Sequence, residues 1–315
     1  MATELDLTTT YAGEFAGKYI GAALLSANTI EQGGVTVIPN IKYKQVVKRT
    51  DITDLVHDAS CDYTPTGTVA LTERILEPKE LQVNLTLCKK DFRSDWDAVS
   101  MGYSTYDVLP KSFQDYFISR VLGQVAEANE ISLWRGNGAT DGQYQGLFTE
   151  ALANSGDLAA SIADVVITPA NVIEKLGDIA DAIPSTLYSN PDLKIYVSQS
   201  VAKAYVRALG GFGNAGLGAA GTNAMGTQWY ANGSGLSFDG IPLFTANGLD
   251  STISACMATT TSNVNFGCGL LNDSLELKLI DMSMIDGSQN VRFVMRYTAG
   301  TQIGILEDCV IYFAD

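Results

Sequence analysis

TVALTERILEPKELQVNLTLC, residues 68–88, governs how the rest of the chain is read. In its second half Leu81, Val83, Leu85 and Leu87 alternate with Gln82, Asn84 and Thr86, the period-two pattern of a strand with one buried face. The first half, residues 68–76, alternates less cleanly, and Glu77, Pro78, Lys79 and Glu80 lie between the two runs. Pairing the runs with each other gives a β-hairpin of about eight residues per arm, roughly 25 Å long, with those four residues as a charged tip. A lone two-stranded ribbon is marginally stable, so the sequence predicts that a partner covers it.

Upstream, residues 35–49 read as extended, with Pro39 marking an edge or bend, and residues 50–67 are polar. In residues 1–32, Tyr11, Phe15, Tyr19 and Ala23 recur every four positions, which suggests a short helix weakened by Gly13, Gly17 and Gly21. With little of its own to pack on, this arm is expected to lie on a neighbouring surface. Downstream, residues 110–135 carry the strongest helical pattern. Phe113, Phe117, Val121 and Val125 form an i,i+4 ladder that Ala128 and Ile131 continue. Pro110 suits the first turn, Ser112 with Asp115 resembles a capping box, and Gly136-Asn137-Gly138 ends the helix. At ~1.5 Å per residue it spans roughly 38 Å, the length of a beam.

The second half reads as α/β. Thr168 and Pro169 open a helix whose inner face is Ile173, Leu176, Ile179, Ala180 and Ile183, and Pro184 stops it. A short buried strand, 193–197, and a second helix, 201–209, follow. Beyond a glycine-rich loop, 210–235, come strand-like runs at 236–244, 253–259, 275–281, 291–297 and 302–313.

The 315 residues are 46% apolar, ample for a core, and the length suits two lobes or one elaborated domain. A net charge of -15 repels nucleic acid and anionic lipid at long range, which argues against a direct DNA- or RNA-binding module. A container wall facing packed DNA can still be acidic. The five cysteines (Cys61, Cys88, Cys256, Cys268, Cys309) form no C-x-x-C pair and read as small hydrophobes in a reducing compartment. The first residues resemble no secretory signal, and no run approaches the ~18 apolar residues of a membrane span.

The chemical motifs are weak. The single histidine, His57, sits in the acidic stretch Asp51, Asp54, His57, Asp58, Asp62. Asp54, His57 and Asp58 could ligate a metal, but no nucleophile or further ligand is evident nearby, and a solvated loop is the favoured reading. A literal G-x-G-x-x-G at 211–216 follows a helix rather than a strand, against the geometry of a dinucleotide site. The carboxylate pairs Asp178/Asp181 and Glu127/Glu130 are helical neighbours, and a hydrolase needs its pair facing across a cleft. The sequence therefore predicts a non-enzyme with no catalytic, cofactor-binding or metal-ligating residues.

The order of parts resembles the major capsid proteins of tailed bacteriophages, the Hong Kong 97-type fold. The likeness rests on Glu130–Gly138 with Gly146-Leu147-Phe148, on Lys194–Ser198 with Val201, Ala204, Tyr205 and Leu209, on Phe238–Leu243 with Ala246–Leu249, and on Val291–Met295 with the run 303–313. Together they span about residues 35–315. The resemblance implies an α+β fold: an N-terminal arm, 1–34; a P-domain strand and connecting loop, 35–67; an extended E-loop hairpin, 68–88; a P-domain with a spine helix at 110–136, 89–165; an α/β A-domain, 166–285; and returning P-domain strands, 286–315. It further implies a virion protein, assembled in the host bacterial cytoplasm, that self-assembles through pentamers and hexamers into an icosahedral head around double-stranded DNA. The implied partners are copies of itself, a separate scaffolding protein, a portal and a decoration protein, with DNA touched only non-specifically and no membrane. Intersubunit contacts are expected at Tyr11, Phe15, Tyr19, Glu77, Pro78, Lys79 and Glu80, and the spine at Phe113, Phe117, Val121 and Val125. Lys79 could crosslink to a neighbour, as in some relatives, although no matching Asn is identified. Gly33-Gly34 and Gly102 are candidate joints. Asp at Phe117 or Val121 should prevent folding, and deletion of residues 70–86 should leave a soluble fold that forms no shells. The alternatives are an encapsulin-like nanocompartment shell, another virion part such as a tail or decoration protein, and, in a different class, an acidic carboxylate-dependent hydrolase or lyase.

Overall fold

The computed structural model describes residues 28–59, 61, 67–88, 111–209, 236–249, 254–269 and 278–314, with only the backbone of residues 51, 111–117 and 284. In chain order the strands are β1 (Thr36–Ile38), β2 (Gln45–Thr53), β3 (Thr68–Leu76), β4 (Lys79–Cys88), β5 (Ala160–Asp164), β6 (Leu193–Val197), β7 (Ser237–Phe238), β8 (Ile241–Thr245), β9 (Cys256–Thr260), β10 (Val264–Cys268), β11 (Lys278–Asp281), β12 (Asn290–Ile303) and β13 (Val310–Ala314). The helices are α1 (Asn28–Glu31), α2 (Lys111–Arg135), α3 (Leu147–Ala153), α4 (Val172–Ala182), α5 (Ser185–Tyr188) and α6 (Gln199–Leu209).

Two sheets organise the chain. One runs β1-β10-β12-β11, with β4 paired to β12 as well; the other runs β5-β13-β9-β6-β8-β7. The period-two pattern of β4 has a direct outcome. Leu81 and Leu87 are buried, Val83 and Leu85 half-buried, and Gln82, Asn84 and Thr86 point to solvent. The partner of β4, however, is the distant β12, in antiparallel register from Lys79↔Ala299 to Cys88↔Asn290. The first core lies between this sheet, α2 and α3, and includes Val121, Val125, Leu133, Trp134, Phe266 and Met295. A second core, with Leu176, Ile179, Ile195, Val201, Tyr205 and Tyr312, lies under α4 and α6 on the six-stranded sheet.

The expected hairpin of residues 68–88 does not form. β3 pairs antiparallel with β2, from Gln45↔Leu76 to Thr53↔Thr68, as a separate two-stranded ribbon. Turn chemistry explains the choice. A two-residue hairpin turn between Leu76 and Lys79 would favour type I′ or II′, which need positive φ. Among the described residues from β2 to β4, Asp54 (56°) and Gly67 (93°) have positive φ and flank the β2–β3 connection, and none lies between Glu77 and Glu80. The 77–78 link is instead a corner where the chain passes from ribbon to sheet.

Three further expectations need correction. The helical ladder holds at Val121 and Val125 but not at Ala128 or Ile131, which are exposed. A step of four residues advances ~40° around a helix of 3.6 residues per turn, so such a ladder rotates off one face. Burial passes to Glu130, Ser132, Leu133 and Trp134, enclosed at the helix end. Phe113 and Phe117 have side chains outside the described residues. In α4 the inner face starts at the buried Val172, and Ile173 faces solvent. The helix opens at 172 because a turn precedes it: the Thr168 N–H donates to Asn171 Oδ1 and the Val172 N–H to the Thr168 carbonyl. Gly34 is no loose joint. A Cβ there would lie 2.8 Å from the Phe244 ring, and its carbonyl accepts from the Tyr196 hydroxyl at 2.6 Å. Gly102 lies outside the described residues.

Candidate assembly surface

The ribbon has two unlike faces, because residues paired across an antiparallel ladder share a side. Val46↔Ile75, Lys48↔Glu73, Thr50↔Leu71 and Ile52↔Val69 make one face. Its apolar members are exposed: Val46 40%, Ile52 48%, Val69 61%, Leu71 74% and Ile75 48%. The connection adds Leu55 at 59% and Val56 at 95%. Five apolar side chains share one side of the two-stranded ribbon, three of them (Ile52, Val69 and Leu71) clustered at its outer end and Val46 with Ile75 beyond the Lys48↔Glu73 pair.

The opposite face grips the body near the ribbon's base. Arg74 Nη2 lies 2.5 Å from Glu150 Oε1, and Arg49 Nη1 lies 2.7 Å from Glu307 Oε2. Glu150 is buried on α3. It also accepts from Gln302 Nε2 at 2.6 Å and from the Ile303 N–H at 3.3 Å. Burial pushes its carboxyl above the usual carboxylate range, and the Arg74 charge pulls it partway back. Leu76 is fully buried. The ribbon is thus fixed where it leaves the body, and its apolar face looks outward.

The four residues expected at the tip sit in that corner instead. The Lys79 ammonium donates to the carbonyl oxygens of Gln143 (2.9 Å), Thr140 (3.2 Å) and Gly138 (3.4 Å). It ties the loop after α2 to the start of β4. Glu77 pairs with Lys44 at 2.9 Å, Glu80 is exposed on β4, and Pro78 packs close to Gly300. Lys79→Met should therefore lower the stability of the isolated subunit by about 1–2 kcal/mol through lost charged hydrogen bonds, measurable by denaturant unfolding. Tyr11, Phe15 and Tyr19 lie outside the described residues.

The chain entering at residue 28 is pinned at a buried carboxylate. Glu130 of α2 accepts from the Thr29 N–H at 3.2 Å, from the Thr29 hydroxyl, and from the Gly248 N–H at 3.4 Å. Trp134 Nε1 donates to Thr29 Oγ1 at 2.9 Å. Burial raises the Glu130 carboxyl above its usual range, and the donors only partly offset that. As pH rises from the usual carboxylate value through Glu130's own, the unfolded chain loses the proton first, so this group's stabilising contribution declines. Glu150 acts in the same direction. The difference in unfolding free energy between wild type and Glu130→Gln isolates Glu130. It should change with pH across that window, and at neutral pH the variant should be less stable by about 1–3 kcal/mol, because an amide N–H faces donors.

Among the described residues the chemical candidates are not brought together into a site. His57, Asp54 and Asp58 are exposed beside the ribbon, and the glycine motif at 211–216 lies outside the described residues. Asp178 and Asp181 are exposed on α4, with Asp178 3.1 Å from Lys175. Glu127 is half-buried, and Glu130 is committed to Thr29 and Gly248. No helix among the described residues is long and apolar enough to cross a membrane.

Comparison with protein-family models found no match, and comparison with curated protein sequences found none. Solved structures do match over nearly the whole chain. A chain from the structure described as the capsid of native GTA particle computed with C5 symmetry has a TM-score of 0.65 at 12% identity, covering 98% of this chain and 95% of its own. The capsid of cyanophage A-1(L) gives 0.61 at 13%, covering 97% and 98%, and that of cyanophage P-SCSP1u gives 0.59 at 14%, covering 97% and 93%. The α+β fold of this chain is the fold of those phage capsid chains.

Proposed function

We propose that this protein is a non-enzymatic capsid subunit that assembles with copies of itself into the shell of a bacteriophage head. The observation that carries this reading is the outward apolar face of the β2–β3 ribbon, standing off a body whose fold matches capsid chains from end to end. A water-exposed face bearing Val46, Ile52, Val69, Leu71 and Ile75 has no use in a monomer and an evident one in a wall.

On this reading the ribbon is the extended loop that crosses onto a sister copy, α2 is the spine, and the six-stranded lobe lies toward the axis of the ring. The five- and six-fold capsomers, the packaged double-stranded DNA, a separate scaffolding protein, a portal and a decoration protein belong to the same proposal. So do the N-terminal arm as an intersubunit contact, residence in the virion and assembly in the host cytoplasm. The acidic charge suits a wall that touches DNA without binding it. Electron microscopy of the purified protein tests the reading. Rings or closed shells are expected, and a monodisperse monomer at high protein concentration would overturn it.

A further inference from the structure

The six-stranded lobe carries opposite charge on its two flanks. At the β5 edge, α4 presents Glu174, Asp178 and Asp181 to solvent, with Asp164 of β5 beside them. The cation among them, Lys175, is tied to Asp164 (2.8 Å), Glu174 (3.1 Å) and Asp178 (3.1 Å), which leaves an acidic surplus. Val165 and Val166, which follow β5, and Ile173 in the first turn of α4 are exposed apolar side chains. The other flank belongs to α6, which leans toward β7 through a 2.8 Å hydrogen bond from the Tyr205 hydroxyl to the Ser237 carbonyl. α6 contains no acid, and its Lys203 and Arg207 are exposed. They line a cleft of about 540 Å³ with Ala202, Val206 and Leu236. Asp239, on the β7–β8 turn, is the acid on that side.

β5 and β7 are the two outer strands of the sheet, and α4 and α6, neighbours over the second core, carry the two charges. We propose that the acidic α4 flank of one subunit docks on the basic α6 cleft of the next copy, with Val165, Val166 and Ile173 meeting the half-buried Val206 and Leu236. This deepens the shell reading and rests on it. The occupant is a second copy because the chain itself supplies both charges and both apolar halves. In the shell reading the contact is head-to-tail, because a ring of identical copies requires it. Between chains of net charge -15, a like-charged contact is the costly arrangement, and the basic flank provides the place where approach is favourable. Head-to-tail contacts between identical copies close into rings when the rotation permits, and each copy then uses both flanks once.

A charge swap in the full chain tests this, read by sedimentation velocity at low and high salt. Lys203→Glu with Arg207→Glu should weaken association at least tenfold and invert its salt dependence, since salt screens exposed charges over ~8 Å at physiological strength. Adding Glu174→Lys and Asp181→Lys to that chain should restore association to within a few-fold of wild type. All four positions are exposed, and an unchanged circular dichroism melt confirms folding. A doubly reversed chain that associates like wild type, or a fourfold variant that is not rescued, overturns the docking while leaving the shell reading intact. A wild type that never associates overturns both.

Discussion

Replacing residues 50–71 by an Asn-Gly turn should abolish shell formation while leaving the subunit folded. Arg49 and Thr72 are register partners, and Asn-Gly closes a two-residue reversal between paired strands. Among the described residues, the shortened ribbon keeps Val47, Arg49 on Glu307, Arg74 on Glu150, and Leu76. The apolar residues it loses among those described, Ile52, Leu55, Val56, Val69 and Leu71, are all exposed, so the stability of the isolated subunit should stay within about 1 kcal/mol of wild type. Electron microscopy and denaturant unfolding check the two halves of this expectation. Intact shells from the shortened chain would show that the apolar face is not used between subunits. Deleting residues 70–86 is the wrong experiment, because it removes most of β4 from its register with β12 and unfolds the body.

Trp134→Ala should be the most damaging single substitution in the described core, costing about 3–5 kcal/mol. Trp134 is fully buried at the end of α2, in the first core. Its ring packs on Tyr196 of β6 with centroids 5.1 Å apart, and Tyr196 in turn meets Phe244 of β8 at 5.5 Å. The side chain therefore couples the long helix to the six-stranded sheet, and its indole N–H holds Thr29 for Glu130. An alanine leaves a cavity at that junction. Against a total stability of about 5–15 kcal/mol, the loss should lower the thermal midpoint by about 10 °C. Trp134→Phe, which keeps most of the volume and loses the N–H, should recover over half of the deficit. Equal midpoints for wild type and the alanine variant would mean that the two cores are not coupled there.

The legible parts of the fold were those whose pattern is local. The 25 residues of α2, the alternation of β4, and the strand Leu193–Val197 each carry their own periodicity. The partner of β4 was not legible, because pairing β3 with its nearest neighbour is a reasonable default and nothing in residues 68–88 announces β12. A signal existed nonetheless: a two-residue hairpin favours a turn with positive φ, and Gly67 offers a glycine for that while Glu77-Pro78-Lys79-Glu80 does not. β10, Val264–Cys268, went unseen because Asn265 and Gly267 disguise a strand buried along its whole length. β5 and α3 are short, and their order depends on β13 and β12. For the assembly surface the sequence predicted the right kind of element, a ribbon short of apolar cover, and assigned it the wrong strand. The ends of the ribbon's apolar face, Val46 and Ile52, come from a stretch that alternates only when read against β3.

Reactivity of a cysteine placed at Leu71 tests the central claim most directly. The variant is Leu71→Cys with the exposed Cys61 changed to Ser, labelled with a thiol reagent and read peptide by peptide by mass spectrometry. In dissociated subunits position 71 should react quickly, and in assembled particles at least ten times more slowly, because a sister copy covers the ribbon. Equal rates in the two states would contradict the account.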